Sequence, residues 1–142
     1  MQTFLPYSDF SLSAKCLDDK RLGKQRVEAY QIMRTLLGES SGWKHHPAVK
    51  MWAGHEGALF SYTVDVVNEW NLRGFEDSVY GKINALAAKH AEAIGRNSGF
   101  PSWLGDQRLH LSHQSNLVRK YPEHYRKYFP EIPDDMPYYW PI

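Results

Sequence analysis

The chain has 142 residues, 42% of them hydrophobic, and a net charge of +1, enough apolar side chain for one core. No run approaches the ~18 apolar residues of a membrane span, and the start, Met1–Tyr7, lacks the basic and apolar regions of a secretory signal. The lone cysteine, Cys16, excludes an internal disulfide framework and a Cys-rich zinc site; a cytoplasmic monomer is expected.

Ser8 is placed to cap a short helix reaching about Leu17, and Asp18 or Asp19 to cap the next. That second helix carries Leu22, Ala29, Tyr30, Met33, Leu36 and Leu37 on one stripe and ends at Gly38. Pro47 suits the first turn of a long helix running unbroken to Arg73. Its core side is Trp52, Leu59, Thr63, Val66, Val67 and Trp70, with Gly54 and Gly57 inside it and Gly74 as the stop. Asp77 or Ser78 opens a helix to Ile94, with Val79, Ile83, Leu86, Ala87, His90 and Ala93 inward. A loop over 96–105 precedes a helix from Asp106 to Lys120 and a short one opened by Pro122. The Pro- and aromatic-rich tail from Pro130 reads as an extended strap. Nothing alternates at the strand period, so the expectation is an all-α fold. It is one compact domain, residues 1–142, of four to five helices around one long central helix.

Charge is unevenly spread. Residues 1–50 carry eight Lys/Arg against five Asp/Glu, and four of these cations fall within Lys20–Arg26. At ~100° per residue, Arg21, Lys24, Gln25 and Glu28 share one helix face. Arg26 points instead into the apolar stripe between Leu22 and Met33, where a guanidinium must find a partner or line a cleft. The plain reading of Arg21, Lys24 and Glu28 is a surface ion-pair network. The functional reading is more specific. Removing a base from deoxyribose leaves a cationic sugar that a carboxylate stabilises, and cations hold the flanking phosphates. A glycosylase that also cuts the strand adds an amine that forms a Schiff base.

The stretches Arg21–Glu28, Trp43–Trp52 and Glu69–Gly74 resemble the pyrimidine-dimer DNA glycosylases of the endonuclease V-like family. So do Pro101–Asp106, His110–His113 and the ending Tyr138–Pro141. A weaker likeness to the phage branch rests on the basic helix, on Ala53–His55 and on Arg73–Phe75. The resemblance implies an all-α enzyme acting on damaged or modified pyrimidines in duplex DNA. It also implies an N-terminal α-amine as nucleophile, a helix glutamate beside arginines, a flipped base and an aromatic tail near the DNA. Carried onto this chain, the amine is that of Met1, which the bulk of Gln2 should keep in place. The glutamate is Glu28, although an ungapped match sets Gly23 or Gln25 near its position.

On this reading Glu28 and Met1 are catalytic. Arg21, Lys24 and Arg26 hold phosphates, Gln25 reads or replaces the flipped base, and no cofactor or metal is required. His46, at a helix start that favours anions, and His113 are further DNA contacts. Trp103 is a candidate stacking residue, though a loop aromatic pinned to a core is commoner. Two rival readings remain: a DNA-binding module without catalysis, and a metal-dependent phosphodiesterase built on His46, His110 and His113. His45 and His124 have no assigned role, and His90 reads as core.

Overall fold

The computed structural model describes residues 1–97 and 99–142. Among them are eight helices and no strand. These are α1 (Phe10–Cys16), α2 (Asp19–Leu36), α3 (Pro47–Lys50), α4 (Glu56–Leu72), α5 (Val79–Lys89), α6 (Ala91–Arg96), α7 (Gln107–Lys120) and α8 (Pro122–Tyr125). The all-α expectation holds. The count of four to five helices is exceeded, in part because two of the expected helices are broken; Ser98, within the expected 96–105 loop, lies outside the described residues.

The first break divides the expected helix from Pro47 to Arg73. Continuing it would need the Met51 carbonyl to accept from the His55 N–H, four residues on. The Trp103 indole takes that carbonyl at 3.0 Å, and His55 N–H turns to the Trp52 carbonyl at 2.8 Å. Gly54 makes the turn at φ +81°, a conformation that suits glycine. Trp52 is anchored from the other side by its own indole N–H on Thr3 Oγ1. Gly54 therefore marks the end of a helix and lies in no helix interior. The second break is at His90 (φ −118°, ψ 32°), whose ring is held by Glu39 at 2.8 Å.

Caps differ in detail from the sequence reading. Asp9, not Ser8, caps α1 by accepting from Leu12 N–H. Asp18 sits at the start of α2 but spends its carboxylate on Arg21 and the Tyr125 hydroxyl. Asp77 accepts from Tyr80 N–H at the start of α5, and Asp106 caps α7 through Arg108 N–H.

Helices α2 and α4 form the central pair, with α1 against α4 and α5 against both. Their shared interior holds Leu22, Ile32, Met33, Leu59, Tyr62, Val66 and Ile83. At ~25 cal/mol per Å² of apolar surface, each of these side chains contributes about 1.5–3 kcal/mol relative to exposure. The tail after α8 has no regular structure and packs Tyr138, Tyr139 and Trp140 onto the core as a strap. No helix of the described residues is long and apolar enough to cross a membrane.

Residues Met1–Pro6 have no regular structure and lie against α2, α4 and α7. With no strand beside them, their backbone groups are satisfied by side chains. Gln25 accepts from Phe4 N–H at 2.8 Å and donates to the Gln2 carbonyl at 2.9 Å. The Tyr62 hydroxyl donates to the Phe4 carbonyl, and Gln114 donates to that of Pro6.

Candidate active site

A cavity of about 300 Å³ opens where the N-terminal segment crosses α2. Met1, Gln2 and Phe4 form one wall, α2 supplies Lys20, Arg21, Lys24, Gln25 and Glu28, α7 adds Lys120, and the tail adds Tyr138. The helical phase places the α2 residues on one face, as their spacing implies. Glu28 is the one acid among these lining residues, against four cations.

The Glu28 carboxylate accepts from Gln2 N–H at 3.1 Å and lies 3.5 Å from the Gln25 amide nitrogen. Met1, one residue before Gln2, lines the same cavity. His46 lies within electrostatic reach. Burial and then repulsion from the N-terminal ammonium hold its imidazole below the ordinary value, while Glu28 pulls the other way. Lys120 is lowered too, by burial and then by Arg21, Arg119 and Lys24, so it sits in a positive field. Arg21 is tied to Asp18 at 3.2 Å. Burial pushes the Asp18 carboxyl up, but the Tyr125 hydroxyl and Arg21 outweigh it and hold the group below its usual range.

The structure thus brings together Met1, Arg21, Lys24, Gln25 and Glu28, and it sets the other four named residues elsewhere. Arg26 points away from the cavity, pairs with Asp77 and lies over the Trp70 ring at 4.3 Å. His46 caps α3, accepting from Ala48 N–H at 3.0 Å. His113 is fully buried, and its Nδ1 accepts from Leu5 N–H at 2.8 Å. Trp103 is buried against Trp52. Gln25 is 1% exposed and engaged with backbone on both sides of its amide, which leaves it little freedom to contact a base.

Two lining cations, Lys20 and Lys120, were not among the site residues that the sequence singles out. Lys20 and Lys120 carried only charge as a signal, and Lys120 is distant along the chain. Trp103 is buried, whereas Trp43 is an exposed aromatic joined to the cavity wall through a run of rings. Trp43 is 59% exposed at φ +64°, a region bulky side chains rarely adopt, and lies edge-on to His46. Rings then run on from His46 to Trp140 and from Trp140 to Tyr138 at the cavity wall. The histidines do not converge. His110 and His113 bond the Leu5 backbone, and His124 bonds the Cys16 carbonyl. No group of three or more His, Cys, Asp or Glu comes together among the described residues.

A helical fold that sets one carboxylate among four cations has the charge layout for a polyanionic substrate. The family model described as pyrimidine dimer DNA glycosylase matches residues 1–82, more than half of the chain, and the chain belongs to that family. It is thereby a DNA-repair glycosylase in the general sense, with DNA as its substrate. The matched stretch contains α1 to α4, the Met1 wall and every cavity residue of α2. No curated protein and no solved structure matches the chain.

Proposed function

We propose that this chain excises damaged or modified pyrimidines from duplex DNA and then cleaves the abasic strand, with the Met1 α-amine as nucleophile. The observation that supports the reading is the bond from Gln2 N–H to Glu28, which ties the residue after Met1 to the one carboxylate of a cationic cavity that Met1 also lines. The neutral amine attacks C1′ and the C1′–N bond breaks. The base leaves with the electron pair and takes a proton from solvent. Glu28 stabilises the positive charge that builds on the sugar. The amine nitrogen loses a proton, the C1′–O4′ bond opens with a proton going to O4′, and a C1′ iminium remains. Loss of a 2′ proton then expels the 3′ phosphate. Hydrolysis of the imine returns the amine.

Arg21, Lys20, Lys24 and Lys120 hold the phosphates on either side. Trp43, exposed next to Lys44, takes the stacking role first assigned to Trp103. The phosphodiesterase reading loses support, because no group of three or more His, Cys, Asp or Glu comes together among the described residues.

The deciding experiment is borohydride trapping on a duplex with a preformed abasic site, followed by mass mapping of the adduct. The expected result is one adduct on Met1, absent when the amine is acetylated. An adduct on Lys120 would move the nucleophile to α7. Base release without any adduct would make the protein a water-using glycosylase.

A further inference from the structure

The buried histidines of α7 take no part in the chemistry above, yet both end on the same residue of the N-terminal segment. His113 Nδ1 accepts from Leu5 N–H at 2.8 Å, and His110 Nδ1 bonds the Leu5 carbonyl at 2.7 Å. Each contact fixes a tautomer. His113 Nδ1 must be bare, so its proton sits on Nε2. His110 Nδ1 must carry the proton, and its Nε2 accepts from Gly105 N–H at 2.8 Å. The two rings grip the Leu5 residue at both its polar groups, from adjacent turns of one helix.

We propose that His110 and His113 are positioning residues, which fix how far the Met1 amine projects into the Glu28 cavity by clamping Leu5. This rests on the reading of Met1 as nucleophile. Three observations carry it. First, the segment has no strand partner to set its register, so its placement depends on side chains alone. Second, Leu5 is the only residue of the segment whose N–H and carbonyl are both held by α7, four residues from Met1. Gln25 and Glu28 hold Phe4 and Gln2 between Leu5 and the amine, so the Leu5 clamp and these α2 bonds together set where the amine lies. Third, His113 keeps Nε2 buried without a partner. An orphaned buried donor is costly, and a phenylalanine would fill the same space without one. A histidine held there is explained by what its Nδ1 accepts. The same ring lies edge-to-face with Tyr138 at 5.8 Å, so the clamp also touches the cavity's opposite wall.

The test compares His113→Phe, which keeps the ring volume and removes the acceptor, with His113→Asn, which returns an acceptor to the place of Nδ1. Two quantities are read on each folded protein: the single-turnover trapping rate on abasic duplex, and Kd for a duplex bearing a tetrahydrofuran abasic analogue. The expected outcome is a trapping rate about 10²-fold lower in His113→Phe, the cost of misplacing a reacting group by roughly an ångström. Kd should be unchanged, and the rate should largely recover in His113→Asn. Wild-type trapping in His113→Phe overturns the proposal, as does a loss that merely follows Kd. Where His113→Phe does not fold, His110→Gln decides by the same readouts. It keeps an acceptor toward Gly105 and gives up only the donor to Leu5. The underlying reading fails separately: a protein acetylated at Met1 would then still trap at the normal rate.

Discussion

Arg21 and Arg26 lie five residues apart on α2 and meet opposite surroundings. Arg21 belongs to the face that borders the cavity, with Lys24 exposed beside it. Arg26 belongs to the other face, where Asp77 and the flat of Trp70 enclose it. Gly23 makes this possible, because a Cβ there would come within 3.1 Å of the Trp70 ring. One helix thus carries two kinds of cation. Arg26 spends its charge on a distant partner that ties α2 to the start of α5, whereas Lys24 and Arg21 face the cavity, Arg21 with only its near neighbour Asp18 beside it. The contrast cannot be read from charge, only from what stands opposite each residue.

The largest expected effect falls on the acid of the cavity face. Glu28→Gln keeps the acceptor for Gln2 N–H but removes the charge proposed to stabilise the sugar. Base release should fall by about 10²–10³, the scale for losing one preorganised electrostatic partner, while DNA affinity holds or rises. Wild-type excision by this variant, measured on dimer-containing duplex, would break the assignment of that face.

Next comes the sealed face. Arg26→Met removes the partner of Asp77, whose carboxylate is 3% exposed and would be left uncompensated. A loss of about 3 kcal/mol in urea unfolding is expected, the scale for breaking a buried pair, with DNA binding unaltered. Burial pushes the Asp77 carboxyl up, but Tyr80 N–H and Arg26 outweigh it and hold the group below its usual range. If Arg26→Met binds DNA more weakly and keeps its stability, the division of the helix is wrong.

Smaller again is the charge reversal of Arg21 and Lys24 together. Two phosphate contacts should vanish, which lowers the slope of log affinity against log salt by about two. An unchanged slope would mean these cations never meet the backbone of DNA.

Much of this was legible from periodicity. The Arg21–Lys24–Gln25–Glu28 face and the core stripe of Leu22, Ala29 and Met33 follow from helical phase alone. The expected partner for Arg26 follows too, although its identity, Asp77, is 51 residues away. What could not be read are interactions between distant side chains and backbone. The break at Gly54 depends on the Trp103 indole capturing the Met51 carbonyl. The role of Gln25 depends on an unstructured segment that only side chains hold. His110 and His113 stand at a spacing that suggested a metal pair, and their common target is a peptide. Periodicity assigns a face to each residue and leaves its long-range partner unknown.

The smallest effect concerns a third kind of polar residue, neither paired with a charge nor open to ligand. Burial, and then the neighbouring His110, push the His113 imidazole from its ordinary 6.5 down to about 3. The groups facing it are His110 on its own helix, the Phe4 ring and Leu5 N–H of the N-terminal segment, and Tyr138 of the tail. As pH falls below about 6.5 the unfolded chain binds a proton that the native site refuses. Stability therefore drops with pH, by up to about 1.4 kcal/mol per unit, until about 3. The depressed carboxyls of Asp18 and Asp77 lose their contribution only below their ordinary 3.8. The window from pH 6 to 4.5 is therefore dominated by imidazole, and Glu39, held by Lys89 and His90 below its ordinary 4.5 at about 2, enters only at its lower edge. Over that window the wild type should lose roughly 2 kcal/mol in urea unfolding, and His113→Asn should lose clearly less, with the depressed His46 accounting for part of the remainder. Equal losses in the two proteins would show that His113 takes up its proton without unfolding, and that its grip on Leu5 yields in acid before the fold does.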